Sequence, residues 1–475
     1  MKMEGNLDRA WVGDACSLVD AYRKKELSPV EAVQASIHAL EHSDINAASY
    51  IDTERALEQA TRADISLPFG GVPFGVKELD HVAGWPYTEA SLVFKDNTTT
   101  WSSTYVDRIA DAGGILTAQT TASEFGAVNY TSTPIHGTTR NPWNTDTTPG
   151  GSSGGAAAAV AGGLLPISTG GDGGGSIRIP AGFTGLVGLK TTYGRIPKGP
   201  QCGQFPMTVT LGCLTRSVRD TARFLDVCNG YDSHDNLSLP KVEGYESGLG
   251  SHDLAGLTAA ISVDLGCAIV ASSTAALVEN AAELLIKEAG LKRVDVAVTL
   301  PPLGMEWAMS NLVTLMAELA DFYPECEHDL IPELQFGMNI AYNHYDLKTA
   351  AAAETSRVVL SETMAELFDQ ADLIFSATNP DTAFAATGPV PTAIEGRDLI
   401  SELGFEGALA NNGALTIPAN MEGNPAISIP AGFHNGLPVG LQVMARHHRE
   451  DVLLDIALLA ERIMPWPLTA PYLDR

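Results

Sequence analysis

The chain has 475 residues, 45% of them apolar, enough to fill one large α/β core or two or three smaller ones. Its 57 acidic and 29 basic side chains leave a formal charge of −28. That charge argues against the phosphate-neutralising surface of a nucleic-acid binder and equally against an anionic membrane surface, so a small neutral or cationic ligand fits better.

The first residues, MKMEGNLDRAW, carry no apolar signal core, and the longest apolar stretch, 156–167, is short of the roughly 20 residues of a membrane span. The expectation is a cytoplasmic protein with no membrane partner. Ser28-Pro29-Val30-Glu31 forms a capping box with proline at the first helical position, and Val33, Ile37 and Leu40 follow on one helical face. GGVPFGVKELD then predicts a buried strand between glycines. From Thr258 the pattern alternates. TAAISVD reads as strand, SSTAALVENAAELLIKEAG as helix and LKRVDVAVTLPP as strand. SRVVLSETMAELFDQA then reads as helix and DLIFSATNP as strand. PAISIPAG and LPVGLQVMA predict two more strands ahead of a helix over 449–463. Such alternation predicts an α/β fold, a single large domain whose central mixed β-sheet is covered by helices on both faces. Residues 304–345 are the least regular, and their aromatics Trp307, Phe322, Tyr323, Phe336 and Tyr342 read as ordinary core, with a lid or pocket wall as the alternative. Six scattered cysteines (Cys16, Cys202, Cys213, Cys228, Cys267, Cys326) form no CxxC pair and read mostly as small buried hydrophobes.

The stretch PGGSSGGAAAAVAGGLLPISTGGDGGGS has the composition of a flexible linker, yet it continues into IRIPA with no change of domain character. Read as chemistry, Gly173, Gly174 and Gly175 ahead of Ser176 would let successive backbone N–H groups converge on one point with no Cβ in the way of a substrate. That is an oxyanion hole in outline, beside a serine nucleophile. A phosphate-binding reading is weaker, since no GxxxxGK[ST] is present. No local histidine signature supplies a base, which points toward lysine. Asp232-Ser233-His234-Asp235 reads as a solvated turn, and His447-His448 with Glu450 lacks the spacing of a helical zinc site, so neither a metal nor a cofactor is expected.

The same stretch resembles the defining segment of the amidase signature family, serine hydrolases with a Ser-cisSer-Lys triad. GVPFGVKELD resembles the family's lysine strand, and TTASEFGAVNYTSTPIHGTTRNPWNTDTTPGG the approach to the serines. GRIPKGP, LGCLTRSVRDTARFLDVCNGYD and GNPAISIPAGFHNGLPVGLQVMA resemble further blocks, with 240–400 the least matched. The resemblance implies one domain over 1–475: a helical part over 1–66, the signature core over 67–240, a variable substrate-side region over 241–400 and the end of the core over 401–475. It implies Ser176 as nucleophile, Ser152 as the cis serine after Gly151, Lys77 as base, and the N–H groups of Gly173, Gly174, Gly175 and Ser176 as oxyanion donors. Ser153, Asp172 and Arg178 are implied as supports.

A lysine serves as base near neutral pH only if burial favours its uncharged form, and the flank Val72, Phe74 and Val76 is expected to supply that burial. The sequence departs from the family at Gly171, which lacks the usual hydroxyl before the aspartate, at Gly173, and at Glu78 in place of aspartate. The expected activity is hydrolysis of a small aryl or alkyl amide, anilide or carbamate. Met305, Trp307, Met309, Met316 and Phe322 favour an apolar group over a glutamine side chain. The rival readings are a glutaminase A-type subunit of an amidotransferase, and an amide-binding protein without catalysis. A homodimer is carried as the expected assembly, although no interface motif is legible.

Overall fold

Pro73–Lys77 are all buried, as are Ile115–Thr120 and the nine residues Leu437–Ala445, so these strands have both faces covered, as the near-continuous apolar runs in sequence anticipate. The computed structural model describes residues 13–201, 203 and 205–474, and the opening MKMEGNLDRAW and Cys202 lie outside them. Among the described residues, eleven strands form one sheet. In chain order they are β1 (Ala48–Ile51), β2 (Pro73–Lys77), β3 (Ile115–Thr120), β4 (Ile167–Asp172), β5 (Val187–Lys190) and β6 (Thr210–Thr215). They continue with β7 (Thr258–Ile261), β8 (Lys292–Arg293), β9 (Leu373–Ala377), β10 (Ala426–His434) and β11 (Leu437–Ala445). The spatial order is β1-β3-β2-β4-β6-β5-β10-β11-β9-β7-β8. The sheet is mixed: β2 runs parallel to β3 and β4, β9 runs parallel to β7, and β4–β6, β5–β6 and β10–β11 are antiparallel.

The helix α1 (Pro29–His42) starts at the predicted capping box, with the Ser28 and Glu31 side chains bonding each other's backbone N–H. α2 (Thr104–Asp111) follows β2, and the all-buried α3 (Gly154–Ala161), GGAAAAVA, packs its small side chains against the sheet. α4 (Arg178–Thr184) leaves the end of β4. α5 (Ser272–Ala289) and the C-terminal helix over Glu450–Ile463 lie where the periodicity places them.

Three expectations are corrected. The part over 1–66 is not wholly helical, because β1 pairs with β3 at the sheet edge. Of LKRVDVAVTLPP only Lys292–Arg293 pair as strand; Val294, Val296 and Val298 are apolar cover packed against the main core. Residues 304–345 are regular: α6 (Gly304–Glu318) and α7 (Pro332–His344) precede α8 (Leu347–Gln370). Their amphipathic pattern is blurred because apolar residues also occupy open sides: Phe336 and Tyr342 of α7 and Phe322 of the connection are exposed, while Trp307 and Tyr323 are half-buried against apolar clusters.

Candidate active site

β2 and β4 are parallel neighbours, so both carboxyl ends open on the same edge of the sheet, where α/β proteins place their ligands. Lys77 ends β2, and its backbone N–H donates to the Thr169 hydroxyl of β4 at 2.8 Å. Its ammonium nitrogen lies 2.7 Å from Ser152 Oγ, and Lys77 is 3% and Ser152 2% exposed. The Gly151–Ser152 peptide is cis, as the resemblance implies. Burial pulls Lys77 down to about 8, against the opposing pull of the Asp80, Asp172 and Glu89 carboxylates. The burial does not come from Val72, Phe74 and Val76. Strand alternation turns those side chains to the opposite face, into the main core, and leaves Gly75 and Pro73 on the face of Lys77.

Asp172, the last residue of β4, organises the glycine loop. Its carboxylate accepts from the backbone N–H of Gly175 at 2.8 Å, Ile177 at 3.3 Å and Arg178 at 3.2 Å, and from the Arg178 guanidinium at 3.0 and 2.9 Å. Burial alone would raise this carboxyl, but the Arg178 charge and the bonds from Arg178 and Asn420 hold it well below the usual carboxylate range. Ser176, partly exposed, follows three glycines, and Gly175 has φ +126°, a conformation that requires glycine. The Gly175 N–H is already taken by Asp172, so of the four expected oxyanion donors Gly173, Gly174 and Ser176 remain. Among the described residues the Ser152 hydroxyl is joined to Lys77 and no hydrogen bond joins it to Ser176. Ser153 reaches the Gly171 carbonyl at 3.4 Å, which links α3 to β4.

A family model for amidases matches residues 31–454. The chain belongs to the amidase family. It is 31% identical over 477 residues to the acylamidase of Rhodococcus erythropolis, with 95% of each chain covered. It is 33% identical over 470 residues to the A-type subunit of the glutamyl-tRNA(Gln) amidotransferase of Akkermansia muciniphila, covering 92% of this chain and 96% of that one. Among solved structures, a bacterial aryl acylamidase of the amidase signature family superposes with TM-score 0.88 at 27% identity, covering 97% of this chain and 98% of the other. A 6-aminohexanoate cyclic dimer hydrolase gives 0.86 at 27%, covering 98% and 99%. This amidase is therefore a serine amidohydrolase acting on carbon–nitrogen bonds other than peptide bonds.

Several residues that hold this amidase's site were not singled out in the sequence. Arg178 also donates to Gln442 Oε1 and Asn420 Oδ1, both at 2.6 Å, and to the Thr416 carbonyl at 2.9 Å. Asn420 in turn donates to the Asp172 carbonyl at 2.8 Å and to its carboxylate at 2.9 Å. These partners lie well over 200 residues along the chain, in TIPAN and LPVGLQVMA; the signal available was the presence of polar side chains inside otherwise apolar blocks. Gly171 leaves room where a Cβ would stand, its nearest neighbour being 3.8 Å away, so the missing hydroxyl leaves the loop fixed by Asp172, Arg178 and Asn420 instead. The Thr169 hydroxyl also donates to Asp80 at 3.0 Å, and the Tyr105 hydroxyl of α2 bonds the same oxygen. Glu78, fully buried, accepts from Thr88 and lies 2.5 Å from His136 Nε2.

The metal lookalikes fall elsewhere. The turn is exposed at Ser233 and His234 as expected, but Asp232 and Asp235 are buried: the Asp232 carboxylate takes the Thr104 hydroxyl and ties the turn to α2, and that of Asp235 takes the Lys198 backbone N–H. Glu450 accepts from the Thr192 N–H at 2.8 Å. Among the described residues no group of three His, Cys, Asp or Glu is placed to hold a metal ion, and no helix is long and apolar enough to cross a membrane. Of the five described cysteines, all free, Cys16, Cys213, Cys228 and Cys326 are buried and Cys267 is half-buried.

Proposed function

We propose that Ser176 is the nucleophile, with Ser152 as proton relay and Lys77 as base, and that the substrate is a small amide with an apolar aryl or alkyl acyl group, anilides and aryl carbamates included. The observation that carries the reading is the 2.7 Å contact between a lysine drawn down to about 8 and the Ser152 hydroxyl, whose neighbour Ser153 reaches the Gly171 carbonyl on the strand that leads to Ser176. Uncharged Lys77 takes the Ser152 proton while Ser152 takes that of Ser176, whose Oγ bonds the carbonyl carbon. The oxyanion settles on the N–H groups of Gly173, Gly174 and Ser176. Collapse breaks the C–N bond, and the proton returns through Ser152 to the leaving amine. Water, activated by the same pair, then releases the acid and frees Ser176.

The apolar preference rests on Phe94, Phe125, Val128, Leu312 and Met316, partly buried against the cluster under α6 and α7. Phe125 adjoins Gly126, where a Cβ would stand 3.3 Å from Ser152 Oγ. A glutamine side chain would leave such a surface unused and need fixed polar partners. The kinship to the A-type chains of amidotransferases favours a second reading, glutaminase activity within a larger assembly. A panel of an anilide, an aliphatic primary amide, an aryl carbamate and glutamine, run against wild type and Ser176→Ala, separates the two. Turnover of the anilide or carbamate, absent in the variant, is expected. Turnover of glutamine alone sinks the free-standing reading, and anilide turnover that survives Ser176→Ala sinks the assignment of the nucleophile.

A further inference from the structure

The glycine loop is held by its carbonyls. In a trans peptide the C=O and the following N–H point in opposite directions, so a partner that fixes one aims the other. The Asp172 carbonyl accepts from Asn420 Nδ2 at 2.8 Å, and that of Gly173 from the Trp307 indole Nε1 at 2.6 Å. The Gly174 carbonyl accepts from the Thr416 hydroxyl and that of Gly175 from the Ile179 N–H, both at 2.6 Å. Three of these partners belong to the signature core or to the end of the core. Trp307 alone comes from the variable region, on α6.

Trp307 is itself placed with care. Its ring lies against Gly174 so closely that a Cβ there would sit 2.5 Å from Cζ2. Asn311, one turn on, donates to the Trp307 carbonyl at 2.8 Å and accepts from the Thr208 hydroxyl at 3.0 Å. The Thr208 carbonyl accepts from Asn420 at 3.0 Å, so the helix bearing Trp307 is tied to the side chain that holds Asp172.

We propose that Trp307 is a positioning residue for catalysis: by holding the Gly173 carbonyl it aims the Gly174 N–H at the oxyanion of the tetrahedral intermediate. This rests on Ser176 being the nucleophile. The oxyanion exists only after attack, so the clamp acts on the transition state and leaves ground-state binding nearly untouched. A helix of the substrate-side wall thus sets the geometry of the oxyanion hole.

The test is Trp307→Phe, which keeps an aromatic ring against Gly174 and removes the indole N–H. Loss of a whole oxyanion donor costs about 100- to 1,000-fold in kcat, so a donor left in place but no longer aimed is expected to cost about 10- to 100-fold, with KM near the wild-type value. Phenylboronic acid, which forms a tetrahedral adduct on a serine hydroxyl, should bind more weakly by the same factor. Trp307→His, which restores a ring N–H, should recover part of the loss and decides by the same two readouts if the phenylalanine variant fails to fold. A kcat within twofold of wild type overturns the proposal, as does a loss confined to KM with boronate affinity unchanged, which would make Trp307 a substrate wall only. Ser176→Ala is run alongside. If it retains turnover and boronate binding, the nucleophile assignment has failed, and that failure is distinguishable because it precedes any effect of Trp307.

Discussion

Lys77 Nζ and Ser152 Oγ lie 2.7 Å apart in a place where both side chains are almost wholly buried. The lysine must be uncharged to accept a proton. With its pKa drawn down to about 8, the base is protonated below that pH and free above it. kcat/KM for a neutral amide should therefore rise with pH through about 8 and level off above. Lys77→Ala should lose about 100- to 10,000-fold, the usual range for a general base, with the smallest loss at high pH. A wild-type profile flat between pH 6 and 10 would exclude Lys77 as the titrating base.

Asp80 turns back under Lys77, its N–H donating to the Lys77 carbonyl at 2.9 Å, and it is the first of the negative charges that oppose the effect of burial on that lysine. Its carboxyl is itself pushed up by burial, while Tyr105, Lys77 and Thr169 counter the push. Asp80→Asn removes the counter-charge and keeps the hydrogen-bond acceptor. The rising limb of the pH profile should move to lower pH. An unmoved limb would mean that Asp80 is uncharged in the working enzyme.

Asp172 and Arg178 form a pair with neither side chain exposed. Removing one partner strands the other charge, so Arg178→Met and Asp172→Asn should each cost about 3–5 kcal/mol in denaturant unfolding at pH 7, and the double variant less than the sum. The acid side carries its own sign. A carboxyl held below its unfolded value of about 3.9 stabilises the fold above that pH, and the stabilisation is lost as pH falls through the folded value. The stability gap between wild type and Asp172→Asn should narrow as the pH drops below about 4. A gap independent of pH would show that the carboxylate charge is not what stabilises the loop.

The parts of this molecule that were legible in sequence are those fixed by local pattern. The Ser28 capping box, the strand ending at Lys77 and the strands after Pro425 follow from periodicity and caps, which act over a few residues. The glycine run could be read as chemistry because no other role accounts for three glycines before a serine. What the sequence hid was set partly by distant contact, as where Asn420 and Gln442 reach Arg178, and partly by the path of the loop itself. That the Gly175 N–H is spent on Asp172 depends on a turn of backbone that composition does not encode. Strand alternation puts Val76 and Lys77 on opposite faces, so the burial of Lys77 follows from the period of the strand and not from its apolar neighbours in sequence. α6 and α7 were obscured because one side packs on the cluster of Leu315, Leu319 and Met338 while Phe336 and Tyr342 stay exposed.

Lys190 is a second buried lysine, drawn down to about 7 by burial and by the charge of Arg178, and its depressed pKa alone would nominate it as a base. Its partners argue otherwise. Lys190 Nζ donates to the carbonyls of Thr191 at 2.9 Å and Asn424 at 2.6 Å, and a carbonyl has no proton to give. Its role is to satisfy two buried acceptors. Lys190→Met should strand both and cost about 1–3 kcal/mol for each, while the midpoint of the kcat/KM profile stays near 8. The pH dependence of stability carries a matching sign: with a folded pKa below the unfolded value of about 10.4, Lys190 binds fewer protons folded than unfolded, so its own contribution to stability rises with pH from about 7 to 10. The stability of wild type relative to Lys190→Met should therefore rise between about pH 7 and 10, and a difference that stays flat over that window would show that Lys190 does not titrate there. A variant of normal stability whose kcat/KM midpoint had moved would reverse the assignment of the two lysines.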